Sequence, residues 1–419
     1  MLLTGILFTI PWFFICLLLY LYLSRRLGIN RWLLVALFQI KVIATFCVQA
    51  IYTYYYTDRS LNDVFRFFDD GIILSDVFSK APMDYIKIIL GIYDEVAFRG
   101  YYFDKMNAWI KPYDSGLYND NILMIKVNSL LNFFSLGHYE VNALFFSTIG
   151  LIGLSYLCRA ILENKAQRQW ALLIICLFPS FQLLMSGGLK ETLLIYGIGI
   201  TLMAATGDFT VQTRLFYGLV GLIISGLIKP YFIACMLPGL IAISLFPDRA
   251  ARSWVAWILI VALGYASAHL MGIDLVSYIV QKQHDFINHS LEIEPGSYRP
   301  MARLDYSLIS IIVAAPLALI KTLIQPMPWE IRNVGEVIML IENLYLLVLL
   351  VFAGRNLAIG TRNITAHSKI RMALLTIIPG LILIGLICPV LGATMRYRAP
   401  FIILLLVSLT PYLINFRTR

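Results

Sequence analysis

The chain has 419 residues, of which 60% are hydrophobic and only 14% are charged, and its mean hydropathy is +0.79. This composition excludes a soluble globular domain, and the continuous apolar runs exclude a barrel of alternating strands. The formal net charge of +9 does not indicate nucleic-acid binding, because many of the basic residues lie in short links between apolar runs. We therefore predict an all-α polytopic membrane protein.

Apolar runs along the chain predict about eleven transmembrane helices and one re-entrant or interfacial helix. In chain order they form five regions. Residues 1–56 hold the first two transmembrane helices, 57–138 a large polar loop, 139–271 six helices, 272–332 a second polar loop with the re-entrant helix, and 333–419 the last three helices.

Basic residues predict which side of the membrane each link faces. The links at 24–31, 159–168 and 355–371 carry several Lys and Arg residues and few acids, which predicts that they are cytoplasmic. The N-terminus and both polar loops would then face the periplasm of a bacterial inner membrane, and the C-terminus the cytoplasm. An odd number of crossings must separate the second periplasmic loop from the cytoplasmic link 355–371, but two apolar segments lie between them. We therefore interpret the segment 306–324, which Pro316 interrupts, as a re-entrant or interfacial helix that does not cross the membrane.

The predicted cytoplasmic links offer no room for an energy-coupling domain. They are short, and none contains a phosphate-binding loop, a dinucleotide fingerprint or a zinc-protease motif. We therefore expect any chemistry to take place at the periplasmic face, with a donor that is available there without ATP. In bacteria this suggests a lipid-linked donor.

Cations on the predicted outer face lie at the ends of apolar segments or within them. They are Lys190, Lys229, Lys321, and the pair Arg396 and Arg398 in the short loop predicted at 393–398. Cations at this depth suit phosphate oxygens, which Arg can bind bidentately. We predict that Lys190, Lys229, Arg396 and Arg398 hold the phosphate of a lipid-linked donor; the alternative is that they extend towards ordinary lipid head groups.

The polar loop 57–138 combines many acidic residues with apolar residues at helical spacing, which predicts amphipathic helices on the membrane surface. Within it Asp69 and Asp70 stand side by side, followed by Gly71, which we expect to reverse the chain. Such a carboxylate could deprotonate an acceptor sugar hydroxyl or bind Mg²⁺ or Mn²⁺. The alternatives are a solvated acidic loop or a helix cap.

Aromatic side chains and a second candidate acid complete the predicted outer face. Tyr102, Trp109 and Trp329 offer flat apolar faces on which a sugar could stack, or with which the protein could anchor at the membrane interface. Glu330, beside Trp329, is a further candidate catalytic acid. We predict no dedicated metal-ligand cluster.

Two ionisable residues, Lys41 and Glu342, lie within predicted spans. Such residues are energetically costly in a membrane and normally have partners. A proton-coupled transporter could use them, so they favour an alternative to an enzyme.

Several short motifs together resemble one known family. They are Phe178-Pro179-Ser180 leading into Ser186-Gly187-Gly188-Leu189-Lys190-Glu191, the turn Pro328-Trp329-Glu330, and Arg396-Tyr397-Arg398-Ala399-Pro400. The arrangement resembles the GT-C superfamily, multispan glycosyltransferases that use polyprenyl-linked sugars at the outer face, and it looks like multispan proteins of bacterial exopolysaccharide and O-antigen clusters.

The resemblance covers roughly Asp69 to the C-terminus and implies a GT-C-like fold with catalysis in the large first periplasmic loop. One feature departs from the family. In GT-C enzymes the catalytic acid usually lies after the first span, whereas here the acidic loop follows the second. Either the chain has an extra N-terminal helix, or Asp69 and Asp70 are not the equivalents of the family's acid.

The leading hypothesis is an inner-membrane glycosyltransferase or polysaccharide polymerase. It would transfer a sugar or repeat unit from a polyprenyl (di)phosphate and work beside other polysaccharide synthesis and export proteins. One alternative is a transporter or flippase for lipid-linked sugars, and another is a non-catalytic membrane component of a synthesis complex. The large polar loop favours the transferase, since a carrier can be built from short links and repeated halves.

Overall fold

A computed structural model describes residues 2–56, 58–60, 62–110, 119–359 and 364–414. Within these ranges the chain folds into eighteen α-helices joined by short turns. They are α1 (Leu2–Leu27), α2 (Arg31–Ala50), α3 (Asp63–Lys80), α4 (Pro82–Leu90), α5 (Glu95–Arg99), α6 (Asn121–Ser135), α7 (Tyr139–Ile161), α8 (Lys165–Cys176), α9 (Pro179–Leu184), α10 (Lys190–Thr206), α11 (Val211–Ile228), α12 (Pro230–Leu245), α13 (Ala250–Leu270), α14 (Leu275–Ile293), α15 (Leu308–Ile324), α16 (Val334–Ile359), α17 (Ile364–Ile387) and α18 (Leu391–Leu413).

Eight of the described helices are long and apolar enough to cross a membrane. They are α1, α2 with the helical turn that continues it to Tyr55, α7, α11, α13, α16, α17 and α18. The prediction of an all-α polytopic membrane protein is confirmed.

Three of the other predicted spans take shorter forms. The apolar run Trp170–Met185, one of the six helices predicted in residues 139–271, is not one helix, because α8 ends at Cys176 and Pro179 starts α9. Proline is favoured at a first helical position, where its missing N–H is not needed. Helices α10 and α12 have 17 and 16 residues, slightly fewer than the roughly 20 that usually cross a bilayer.

Two prolines do not interrupt the helices in which they lie. α15 runs through Pro316 and α18 runs through Pro400, so the predicted break at Pro316 and the predicted loop at 393–398 were wrong. A proline removes one backbone hydrogen bond. Both helices pack against α17, and these side-chain contacts offset the lost bond.

The polar segment 57–138 contains helices where apolar residues recur at helical spacing, with α3 packed against α6. We expected Gly71 to reverse the chain, but this prediction was wrong, because Gly71 lies inside α3. A Cβ atom at this position would lie 2.6 Å from Asn128 Cβ of α6. Glycine is therefore needed here for the close approach of two helices.

The chain forms two compact units. The first comprises residues 1–160 and 181–229, and it includes the polar segment 57–138. The second comprises residues 161–180 and 230–419, and it includes the polar segment 272–332.

Candidate functional site

In the first unit, two lysines that are far apart in sequence converge on one carboxylate. Lys190 Nζ lies 2.8 Å from Asp120 Oδ1, and Lys229 Nζ lies 2.9 Å from Asp120 Oδ2. The three side chains are only 7–12% exposed. We call these three residues the Asp120 cluster.

Local backbone geometry brings each lysine to the cluster. Gly187 and Gly188 have φ angles of +70° and +81°, which only glycine adopts readily, and the turn that they form places Lys190 at the start of α10. Lys229 lies between α11 and α12. Because a residue before proline is disfavoured in the helical region, Pro230 helps to end α11 at this position.

Asp120 precedes α6 in the position that normally caps a helix, yet its side chain makes no capping hydrogen bond. Aspartate is among the best N-cap residues, because its oxygens accept the free N–H groups of the first turn. Here both oxygens accept from lysines instead. The departure from this local preference indicates that Asp120 serves the cluster.

Neighbouring groups connect the cluster to the rest of the polar segment. Lys190 Nζ also donates to Asn121 Oδ1 over 2.6 Å, and Asn121 Nδ2 donates to the backbone oxygen of Ala108 over 3.1 Å. The Phe67 ring of α3 lies 5.2 Å from Lys190 Nζ, a favourable cation–π distance. The site is therefore built from α3, α6, α10 and the turn after α11.

The cluster carries two positive charges and one negative charge. Burying charges is costly unless they are paired, and Asp120 forms an ion pair with each of the two ammonium groups. Chemically, the arrangement suits an anionic group such as a phosphate, to which lysines bind as point charges.

Asp70 lies in α3 and is fully buried. Its two oxygens accept the backbone N–H groups of Asn107 over 2.8 Å and of Ala108 over 2.7 Å. Burial raises the pKa of Asp70 to about 6, although these hydrogen bonds oppose the rise. Both oxygens are buried and occupied, so Asp70 offers no free atom to an acceptor hydroxyl. Its hydrogen bonds instead hold Asn107 and Ala108 in place, and the Ala108 backbone oxygen accepts from Asn121.

Asp69, the other member of the predicted acidic pair, has a different environment. Both of its oxygens accept from Arg59, from Nε and from Nη2, over 2.7 Å each. Its side chain is 29% exposed. Adjacent residues in a helix point about 100° apart, which explains why one aspartate is buried while the other reaches the surface.

The three predicted sugar-stacking residues differ in how exposed their rings are. Trp109 is buried and stacks on Phe103, with ring centroids 4.3 Å apart. The Tyr102 hydroxyl donates to Asp84 Oδ2 over 3.0 Å, and its ring is half-buried. Trp329 is 80% exposed, so it is the one of the three whose face is largely open.

In the second unit, Arg398 is buried and fully engaged. Its guanidinium donates to the backbone oxygen of Thr322 over 2.7 Å and to Asn343 Oδ1 over 2.6 Å. Arg396 is half-buried. Because residues two apart in a helix point about 200° apart, the two arginines of α18 do not share a face.

Two further acidic residues that the sequence singled out, Glu342 and Glu330, lie in the second unit and also accept backbone N–H groups. Glu342 accepts from the Ser180 N–H over 2.7 Å and from the Ser180 hydroxyl over 2.6 Å. Glu330 accepts from the Met327 N–H over 2.7 Å and from Gln325 Nε2 over 3.0 Å. The Glu330 carboxylate therefore stabilises the turn in which it lies.

Lys41, in the first unit, donates to the backbone oxygens of Phe181 and Gln182 over 3.3 and 3.2 Å. A cation near the last carbonyls of a helix is favourable, and these carbonyls belong to α9. These hydrogen bonds lower the free-energy cost of burying the Lys41 charge within α2.

Sequence reasoning identified Lys190 and Lys229 but missed Asp120 as their partner. The only local signal was an aspartate directly before an apolar helical run. The contacts span 69 residues between Asn121 and Lys190 and 109 residues between Asp120 and Lys229. In the described ranges, no group of three or more His, Cys, Asp or Glu side chains could hold a metal ion.

Comparison with known proteins finds no matching family model, no matching curated protein and no matching solved structure.

Proposed function

We propose that the chain is a glycosyltransferase or polysaccharide polymerase of a bacterial inner membrane. It transfers a sugar or repeat unit from a polyprenyl phosphate or diphosphate to an acceptor hydroxyl at the periplasmic face. The convergence of Lys190 and Lys229 on Asp120 is the observation that carries this proposal. Its support from sequence is the resemblance to the GT-C superfamily.

In the proposed reaction, the acceptor oxygen attacks the anomeric carbon of the donor sugar and a new C–O bond forms. The bond between that carbon and the phosphate oxygen breaks, and the phosphate leaves with the electron pair. Lys190 and Lys229 stabilise the negative charge that develops on it. Asp120 holds the two ammonium groups together before the donor binds.

The proton of the acceptor hydroxyl requires a base that reaches the surface. Of the two aspartates in α3, Asp69 is partly exposed and Asp70 is not, so we assign this role to Asp69, whose surface ion pair with Arg59 must open when the acceptor binds. Arg398 is left out because its guanidinium is buried, and Glu330 because its carboxylate holds the turn in which it lies. Arg396 as a phosphate ligand stays a prediction.

The orientation rests on the distribution of basic residues. The polar segment 57–138, which contains the Asp120 cluster, lies in the periplasm if the basic links face the cytoplasm. A lipid-linked sugar that has already been translocated would meet the cluster there without ATP.

The test is surface polysaccharide in cells that carry Lys190→Met, Lys229→Met or Asp120→Asn at matched membrane levels of protein. We expect the product to fall about a hundredfold and lipid-linked precursors to accumulate on the outer leaflet. Lys190→Arg, which keeps the charge, should retain more product than Lys190→Met. The matched control is Lys87→Met, since Lys87 is half exposed and lies 3.5 Å from Asp84.

Two outcomes would contradict the proposal. Precursors that accumulate on the inner leaflet would favour the transporter or flippase. Normal polysaccharide in all the cluster variants would show that the cluster only stabilises the fold.

A further inference from the structure

The second unit contains a small pocket, lined by both polar and apolar residues, that the proposed reaction does not use. Its volume is about 40 Å³, and its lining includes Arg299, Lys321, Gln325, Cys388 and Thr394. A water-sized site needs about 10–15 Å³. The pocket therefore has room for about three to four such sites, which suits the oxygens of one phosphate group and is too small for a sugar ring.

The pocket is held open by backbone contacts between distant segments. The Arg299 N–H donates to the Pro389 oxygen over 2.7 Å, and the Leu391 N–H donates to the Ser297 oxygen over 3.0 Å. These bonds fix residues 297–301 against the turn between α17 and α18. The last turn of α15, which carries Lys321, supplies the remaining side.

Arg299 is anchored before any ligand arrives. Its Nη2 atom lies 3.0 Å from Glu336 Oε2 and donates to the Glu330 backbone oxygen over 2.6 Å. The Nε atom of Arg299 is buried and has no hydrogen-bond partner within the described part of the chain. A guanidinium held this way loses little further conformational entropy when it binds an anion.

Lys321 supplies the second charge. Within the residues that the structure describes, its ammonium group makes no hydrogen bond and no ion pair. The lining holds these two cations and no acidic side chain; Glu336, which pairs with Arg299, is not part of it. A half-buried cation without a partner is costly, and an oxyanion would provide one.

We propose that this pocket binds a phosphate-type oxyanion between Lys321 and Arg299. Free inorganic phosphate and the head group of a phosphorylated lipid share this chemistry. The inference does not rest on glycosyl transfer, because it concerns other residues in the other unit.

The experiment measures binding of inorganic phosphate to the purified full-length protein in detergent. Lys321→Met is the test variant, since the Lys321 ammonium group makes no contact in the described fold. Lys87→Met is the control. We expect saturable binding by the wild type and the control, weakened about tenfold or more in Lys321→Met, as the loss of one charge-assisted hydrogen bond implies. Acetate at equal concentration should not compete.

A competition experiment distinguishes free phosphate from a lipid head group as the natural ligand. Nanodiscs containing a polyprenyl phosphate, compared with phosphatidylcholine alone, should displace inorganic phosphate if a lipid head group is the ligand, and should not if free phosphate is. Both results support a pocket that is selective for a phosphate group. Equal binding by Lys321→Met and the wild type, no saturable binding by the wild type, or equal competition by acetate would overturn it.

Discussion

Asp120 is the residue that joins the two lysines of the cluster. It forms an ion pair with each of the two buried ammonium groups, and removing one member of a buried ion pair destabilises a protein by about 3–5 kcal/mol. Asp120→Asn should therefore cost more stability than Lys190→Met, because it breaks both ion pairs whereas Lys190→Met breaks one.

The double variant Asp120→Asn with Lys190→Met should be more stable than Asp120→Asn alone, since it removes one of the two buried charges whose ion pair with Asp120 is lost. Thermal unfolding of the wild type, both single variants and the double variant in detergent measures this coupling. Strictly additive losses would contradict the account of the cluster.

Asp70 makes stability depend on pH. Its pKa of about 6 lies above the value of about 3.9 for an unfolded aspartate, so the folded chain binds more protons between these two values. Stability should therefore fall as the pH rises from about 4 to about 6, by about 3 kcal/mol in total from this group.

The neutral variant Asp70→Asn should lack this step, whatever its absolute stability. Unfolding midpoints of the wild type and Asp70→Asn across this pH range provide the measurement. Parallel pH profiles of the two proteins would show that Asp70 does not titrate as described.

At the scale of elements, the contact between α3 and α6 depends on Gly71. A Cβ atom there would lie 2.6 Å from Asn128 Cβ and 3.1 Å from the Ser129 nitrogen, which leaves no flexible atom to move away. Gly71→Ala should destabilise the protein by about 1–3 kcal/mol, even though alanine favours a helix by about 1 kcal/mol.

Gly226→Ala is the matched control, because Gly226 also lies inside a helix and has open space around it. It should leave the unfolding midpoint unchanged or raise it slightly. If Gly71→Ala were as well tolerated as Gly226→Ala, the close approach of α3 and α6 would not be needed.

The sequence was sufficient to predict most long helices, since continuous apolar runs of about 20 residues have few other stable forms. It misled at Pro316 and Pro400, because packing against neighbouring helices overrides a local helix-breaking preference. The prediction at Gly71 was also wrong, because the glycine was expected to reverse the chain and lies inside a helix. Residue type alone does not distinguish a turn from a close helix contact.

The candidate site was only partly predictable. Lys190 and Lys229 were recognisable as cations at the ends of apolar segments. Their common partner was not, because Asp120 was one of many acidic residues in the segment 57–138 and was distinguished only by its place directly before an apolar helical run. Asp70 was noticeable as half of an acidic pair, but its burial depends on the fold of residues 107–108.

At the scale of the whole molecule, the basic links predict the orientation. In a variant without native cysteines, Trp329→Cys should react with a membrane-impermeant thiol reagent added to intact spheroplasts, because Trp329 is exposed and predicted to be periplasmic. Arg355→Cys, also at an exposed position, should react only after the membrane is opened. The reverse pattern would contradict the orientation that the basic links predict and remove the basis for a periplasmic donor.

The most direct test of the central claim uses purified protein in proteoliposomes supplied with a polyprenyl-phosphate-linked sugar and an acceptor glycan. The account predicts sugar transfer by the wild type and by Lys87→Met, and a loss of about a hundredfold or more in the double variant Lys190→Met with Lys229→Met. Equal transfer by the double variant and the wild type would contradict the claim that the Asp120 cluster binds the phosphate of a lipid-linked donor.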